Sequence, residues 1–136
     1  MLVLDASAAL AVILDEMDRR EARQLLEEIR ANGVLVPPLW TQEVVNALLM
    51  AERRDRITPS DVERGIALLD GLPVELTESD PPMSHLASVA REHRLTAYDA
   101  TYLLTAMESG SPLATRDEAL AEAARRAGVR VISFPR

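Results

Sequence analysis

Five short apolar runs alternate with longer segments in which apolar residues recur at helical spacing. Parallel strands cannot be joined by a tight turn and need a long crossover, usually a helix. The alternation therefore predicts an α/β fold, a doubly wound sheet of about five parallel strands flanked by helices. The predicted strands lie at 2–4, 34–36, 74–76, 112–114 and 129–133.

Capping signals set the expected limits of the helices. Thr58-Pro59-Ser60-Asp61 combines a capping hydroxyl, a proline at the first helical position and an acid in the first turn. Asn32-Gly33 and Glu108-Ser109-Gly110 are typical of helix ends. The helices are predicted at about 6–14, 19–31, 39–54, 58–71, 80–94, 99–110 and 116–127.

Four acidic residues lie where this fold would bring them together. Asp5 follows the first apolar run, Asp117 follows the fourth, Asp99 opens a helical segment and Glu43 lies within the third helix. Doubly wound sheets bind ligands beyond the carboxyl ends of their strands, at the point where the strand order reverses. If strands one and four are neighbours there, Asp5 and Asp117 meet, and Asp99 and Glu43 close the site from the sides.

Converging carboxylates repel each other and raise one another's pKa unless a cation lies between them. Oxygen ligands without thiol or imidazole favour Mg²⁺ or Mn²⁺. The acids therefore predict metal-dependent phosphodiester chemistry. Nearby polar side chains that could orient the carboxylates or metal-bound water are Ser7, Asn46 and Thr115.

Helix capping is the alternative explanation for the acids. Aspartate is a favoured N-cap, and Asp5, Asp99 and Asp117 each precede or open a helix. Thr115 and Glu118 even have capping-box spacing, which would leave Asp117 free. Capping is a good explanation for any one of these acids. It is a poorer explanation for three acids at the carboxyl edge of one sheet.

Composition excludes several classes of function. The chain has no cysteine, which excludes disulfides and thiolate sites, and two histidines are too few for a zinc cluster. All 15 basic residues are arginine, which excludes a Schiff-base or P-loop lysine. The sequence has no apolar stretch long enough to cross a membrane, and its N-terminus lacks a basic stretch followed by a hydrophobic segment. A cytoplasmic location is therefore expected.

A net charge of −7 is unlike that of a typical nucleic-acid binder, so any nucleic-acid binding must rest on a local arginine patch and on metal bridging to phosphate. Arg53, Arg54 and Arg56 form the obvious cluster, although a solvated helix end explains it equally well. Aromatic side chains that could stack on bases are few, and core packing is the simpler role for each: Trp40, Tyr98 and Tyr102.

Four segments of the chain closely resemble the PIN-domain family, and within it the VapC-type toxins of bacterial toxin–antitoxin pairs. Each segment carries one of the four acids, and together they extend over nearly the whole sequence, so residues 1–136 are expected to form a single PIN domain. The segments are 2–8, 37–48, 95–102 and 112–118.

The resemblance implies an endoribonuclease that depends on Mg²⁺ or Mn²⁺, cleaves RNA with metal-activated water and is inhibited by a small cognate antitoxin. Asp5 and Asp99 would hold the metal with help from Asp117 and Glu43. The protein would form a homodimer or a larger hetero-oligomer with the antitoxin. A PIN-domain nuclease in RNA processing remains the alternative. A haloacid-dehalogenase-type phosphatase is set aside, because it needs an aspartate at the position of Ser7.

The same site suggests how an antitoxin would inhibit it. An acidic pocket accepts an arginine side chain, which pairs with carboxylates bidentately and displaces the cation. Apolar residues on the third helix could receive an amphipathic partner helix, although each of them singly is better explained by core packing. These residues are Leu39, Trp40 and Met50.

Overall fold

The five apolar runs form the strands of one parallel sheet in the computed structural model, which describes residues 1–134. The strands are β1 (Leu2–Leu4), β2 (Val34–Val36), β3 (Val74–Leu76), β4 (Leu113–Thr115) and β5 (Val131–Ser133). The α/β fold predicted from the sequence is confirmed.

Seven helices connect these strands within the described residues. They are α1 (Ala6–Ile13), α2 (Arg19–Asn32), α3 (Leu39–Arg53), α4 (Pro59–Asp70), α5 (Met83–His93), α6 (Ala97–Ser109) and α7 (Glu118–Arg126). None of the helices in residues 1–134 has the length and apolar character that crossing a bilayer requires.

Element limits differ from the predictions by a few residues, for local reasons. The fifth strand begins at Val131 because the Val129 amide donates to Ala124 at the end of α7. Pro112 precedes β4, where its carbonyl oxygen accepts from the Val3 amide. Helix α6 begins at Ala97, two residues before Asp99, because the Thr96 hydroxyl caps it.

The strand order is β3-β2-β1-β4-β5, so chain order reverses between β1 and β4. Val3 pairs with Leu113 and Leu4 with Ala114, and the Asp5 amide donates to the Ala114 carbonyl oxygen at 3.1 Å. This register brings the carboxyl ends of β1 and β4 side by side, as the site prediction required.

Helix α6 is the central helix of the core. Every residue from Ala100 to Ala106 is buried, and the helix packs against β1, β2 and β4. On the other side of the switch point, α1 packs against α3 and β4. Because these helices are fixed by apolar packing, the first turn of α6 and one face of α3 hold fixed positions near the strand ends.

Candidate active site

Asp5 lies at the end of β1, and its side chain is almost fully buried. Oδ1 accepts hydrogen bonds from the Ala8 amide at 2.9 Å and from the Ser7 hydroxyl at 2.7 Å. Oδ2 accepts one from the Thr115 hydroxyl. The capping explanation is thus correct for Asp5 but incomplete, since the same carboxylate also bonds across to β4.

Burial raises the pKa of the Asp5 carboxyl from 3.8 to about 6. Hydrogen bonds from Thr115, Ala8 and Ser7 oppose this rise, and the negative charge of Asp99 adds to it. Ionisation of the Asp5 carboxyl is therefore less favourable in the protein alone than in water, and a neighbouring positive charge would stabilise the ionised form.

The ends of β1 and β4 are joined through two hydroxyl groups. The Thr115 hydroxyl oxygen accepts from the Asp117 amide at 2.9 Å, in addition to its bond with Asp5. The Ser7 hydroxyl oxygen accepts from the Arg116 amide at 3.0 Å. Both hydroxyls therefore fix the Asp5 carboxylate relative to the loop that carries Asp117.

Asp117 is the N-cap of α7, and its Oδ1 accepts from the Leu120 amide at 2.9 Å. The capping box predicted for Thr115 and Glu118 is wrong, because Asp117 is the N-cap of α7 and the Thr115 hydroxyl oxygen accepts from the Asp117 amide instead of the Glu118 amide. Capping uses one oxygen of Asp117. The other has no hydrogen bond to any group in residues 1–134.

Asp99 is partly buried in the first turn of α6, where its amide donates to the capping Thr96 hydroxyl at 3.1 Å. Burial raises the pKa of Asp99, as do the negative charges of Asp117 and Glu43, whereas a hydrogen bond with Thr96 lowers it. Since Asp99 also affects the pKa of Asp5, it is electrostatically coupled to all three other acids.

Glu43 faces this group from α3 and accepts a hydrogen bond from the Tyr102 hydroxyl at 2.7 Å. Tyr102 is fully buried, and burial together with Glu43 raises the pKa of its hydroxyl. Sequence reasoning assigned Tyr102 to packing and missed this contact. The three-residue spacing between Asp99 and Tyr102, which places both on one face of α6, was the available signal.

The other predicted polar and aromatic residues lie apart from this network. Asn46 is exposed, and its side chain makes no hydrogen bond within residues 1–134. Trp40 is buried, so it belongs to the core. Tyr98 is 62% exposed directly before Asp99, and of the three aromatic candidates it alone presents a ring to solvent.

The acids fit a hard divalent cation by their chemistry. All four supply oxygen, and two have a pKa raised by burial and by neighbouring carboxylates, which a bound cation would offset. Within residues 1–134, however, no three His, Asp or Glu side chains converge closely enough to hold an ion as they stand. The acids are therefore neighbours that must adjust to share one cation.

A groove of about 650 Å³ opens beside Ser7. Arg54 and Arg56 line it, whereas Arg53 does not, so the arginine cluster predicted from the sequence is divided. Other lining residues are Leu10, Leu14, Glu16, Ala47, Met50, Ala51, Ile57 and Arg116.

Comparison with known proteins agrees with this architecture. Residues 2–126 match the profile of the PIN domain. Over 124 residues, which is 90% of each protein, the chain is 35% identical to Ribonuclease VapC9 of Mycobacterium tuberculosis and to VapC ribonuclease Mb0985 of Mycobacterium bovis. This chain belongs to the PIN-domain family. Within the family it is of the VapC type, and the resemblance recognised in the sequence is confirmed.

Solved structures show the same PIN-like fold. PAE2754 from Pyrobaculum aerophilum superposes with a TM-score of 0.67 at 24% identity, covering 97% of this chain and 87% of that chain. FitAcB from Neisseria gonorrhoeae superposes with a TM-score of 0.64 at 17% identity, covering 97% and 96%. At these identities the likeness supports the PIN fold and nothing finer.

Proposed function

We propose that this protein is the toxin of a toxin–antitoxin pair, a single PIN domain that acts as a Mg²⁺- or Mn²⁺-dependent endoribonuclease. One observation carries the proposal. Four acids, coupled electrostatically through Asp99, lie as neighbours at the switch point of a PIN-like fold: Asp5, Glu43, Asp99 and Asp117.

Asp5 and Asp99 are the proposed principal ligands, and Asp117 and Glu43 assist directly or through water. A divalent cation bound there would lower the pKa of a water for attack on phosphorus and would offset the negative charge that develops. The proton of that water would pass to a carboxylate of the site or to bulk water, so no lysine is required, and the chain has none.

The protein's own groups position these ligands. Ser7 and Thr115 hold the two oxygens of Asp5, and the Tyr102 hydroxyl holds one oxygen of Glu43. A carboxylate that is already oriented loses less rotamer freedom when it binds a cation. We propose that Asn46, which is exposed on α3, contacts metal-bound water or RNA rather than another side chain.

The proposed partners are an RNA substrate and a small antitoxin with a helical segment and a basic residue, in a homodimer or a larger hetero-oligomer, in the cytoplasm. An arginine from the antitoxin would pair with the coupled carboxylates and displace the cation. Of the apolar residues considered for the partner helix, Met50 lines the groove, whereas Trp40 is core.

Expression in a bacterial host tests this function. Induction of the wild-type gene alone is expected to arrest growth, and co-expression of the cognate antitoxin is expected to restore it. Asp99→Asn is the matched control, because it removes one charge and leaves the apolar core intact. No growth defect from the lone wild-type protein would favour the alternative, a PIN-domain nuclease in RNA processing.

A further inference from the structure

Arg116 lies between Thr115 and Asp117, and its amide donates to Ser7. Its side chain is only 13% exposed, and its Nε is buried without a hydrogen-bond partner among residues 1–134. The one ion pair of this guanidinium within those residues joins Nη1 to Glu16 at 3.6 Å. Arg116 therefore holds unused donors beside the acids.

A purely structural role explains this arrangement poorly. A guanidinium has five N–H donors, and burying it is costly unless those donors are paired. Glu16 is 56% exposed, and a long pair with an exposed carboxylate contributes about 0–1 kcal/mol. Arg116 is thus held in a buried position by a weak partner that another anion can replace.

The groove supplies the context for such an anion. Arg116 lines it together with Arg54 and Arg56, so three cationic side chains border one cavity in a protein of net charge −7. Ser7, which bonds to Asp5, lines the same cavity. The groove therefore adjoins the acidic site through Ser7, and its arginines are complementary to a polyanion.

We propose that Arg116, with Arg54 and Arg56, binds the phosphates of the RNA strand next to the cleaved bond, and that phosphate replaces Glu16 as the partner of Arg116. This inference rests on the proposed function and extends it to the substrate path. Arginine suits the role because its planar group pairs with phosphate through two hydrogen bonds.

RNA binding by cleavage-deficient protein tests the inference. The probe is a labelled, mixed-sequence, single-stranded oligoribonucleotide, and every variant carries Asp99→Asn. Arg116→Gln is expected to weaken binding roughly 10-fold and to reduce the slope of log K against log salt by about 0.7, the value for one lost phosphate contact on a single strand. Arg54→Gln with Arg56→Gln is expected to reduce the slope about twice as much.

Two further variants separate phosphate binding from a structural role. Glu16→Gln removes the competing anion and is expected to tighten RNA binding. Arg116→Lys keeps the charge and is expected to retain the salt slope, even if Arg116→Gln folds poorly. Arg130→Gln is the matched control, because Arg130 also forms an ion pair, at 3.4 Å from Glu28. Arg130 lies at the amino end of β5, whereas the acidic site lies at the carboxyl ends of the strands.

The inference is overturned if Arg116→Gln and Glu16→Gln both lower the melting temperature and leave the salt slope equal to that of Arg130→Gln. It is also overturned if Arg116→Gln weakens binding of the co-expressed antitoxin but not of RNA. In either case, RNA binding by the Asp99→Asn protein would still support the proposed function. If the Asp99→Asn protein does not bind RNA and the wild type does not cleave it, the proposed function itself is wrong.

Discussion

The acids at the strand ends and the acids on helices α6 and α3 are held in different ways. Asp5 accepts three hydrogen bonds, from the Ser7 hydroxyl, the Ala8 amide and the Thr115 hydroxyl, and Asp117 caps α7. On the helical side, Glu43 accepts one bond from Tyr102, and Asp99 lies in a first turn that Thr96 caps.

This difference suggests a division of roles. The strand-end acids form a prebuilt half: the Asp5 carboxylate cannot rotate without breaking bonds to Ser7 and Thr115, and the Asp117 carboxylate cannot rotate without breaking its bond to the Leu120 amide. The helical acids have fewer hydrogen bonds and can adjust their rotamers towards a cation. This division explains why the acids of residues 1–134 are electrostatically coupled and yet lie too far apart to bind one ion without side-chain movement.

Removing one ligand from either half is expected to have the largest effect. Asp5→Asn and Asp99→Asn should each abolish RNA cleavage, because losing one ligand charge weakens cation binding. Circular dichroism should show an intact fold, and the melting temperature in chelator should be unchanged or higher, since repulsion is relieved. Full cleavage by either variant at limiting Mg²⁺ would contradict the assignment.

The buried half should also show a distinct pH dependence. The folded protein holds the proton of Asp5 more tightly than the unfolded chain, because its pKa rises from 3.8 to about 6. Between these values the folded state binds more protons, so the free energy of unfolding falls as pH rises. A shift of about two pKa units corresponds to a decrease of roughly 3 kcal/mol in the free energy of unfolding. This decrease is complete once the pH is above the pKa of Asp5 in the folded protein.

Urea unfolding in chelator, at about pH 4 and about pH 7, measures this dependence. The wild type should lose stability relative to Asp5→Asn as pH rises, because asparagine does not titrate. Groups that do not interact with Asp5 titrate alike in both proteins and cancel in the difference; Asp99, which is coupled to Asp5, adds to the difference. An equal change in both proteins would mean that Asp5 ionises freely in the folded state.

Hydroxyl groups that position the acids should matter less than the acids themselves. Tyr102→Phe keeps the ring and removes the hydrogen bond to Glu43, so cleavage should fall about 10- to 100-fold and the metal concentration for half-maximal activity should rise. Thr115→Val, on the prebuilt half, should cause a similar loss of cleavage. If excess Mg²⁺ fails to recover any activity of Tyr102→Phe, the orienting role is wrong.

Asn46 should give the smallest effect of the polar residues near the acids. Its side chain is exposed and has no hydrogen bond within residues 1–134, so Asn46→Ala should leave the melting temperature unchanged. Cleavage is expected to fall by less than in Tyr102→Phe. A larger loss would contradict this ranking and would mean that Asn46 binds the metal directly rather than contacting metal-bound water or RNA.

The sequence predicted the fold and the meeting of strand ends because their signals are local. Apolar runs mark the strands, and parallel topology then places Asp5 and Asp117 at one edge. Sequence could not predict which of Thr115 and Asp117 caps α7. Thr115 belongs to β4, where its hydroxyl donates to Asp5, 110 residues away in sequence, and accepts from the Asp117 amide. The bond between Tyr102 and Glu43 likewise depends on how α6 packs beside α3.

Thermal unfolding in a metal series tests most directly the claim that these acids form one cation site. The wild-type melting temperature should rise with the logarithm of Mg²⁺ or Mn²⁺ concentration above the dissociation constant, because the ion binds the folded site and hardly binds the unfolded chain. The double variant Asp5→Asn, Asp99→Asn should show no such rise. Equal responses in both proteins would contradict the account, because the ion would then bind elsewhere.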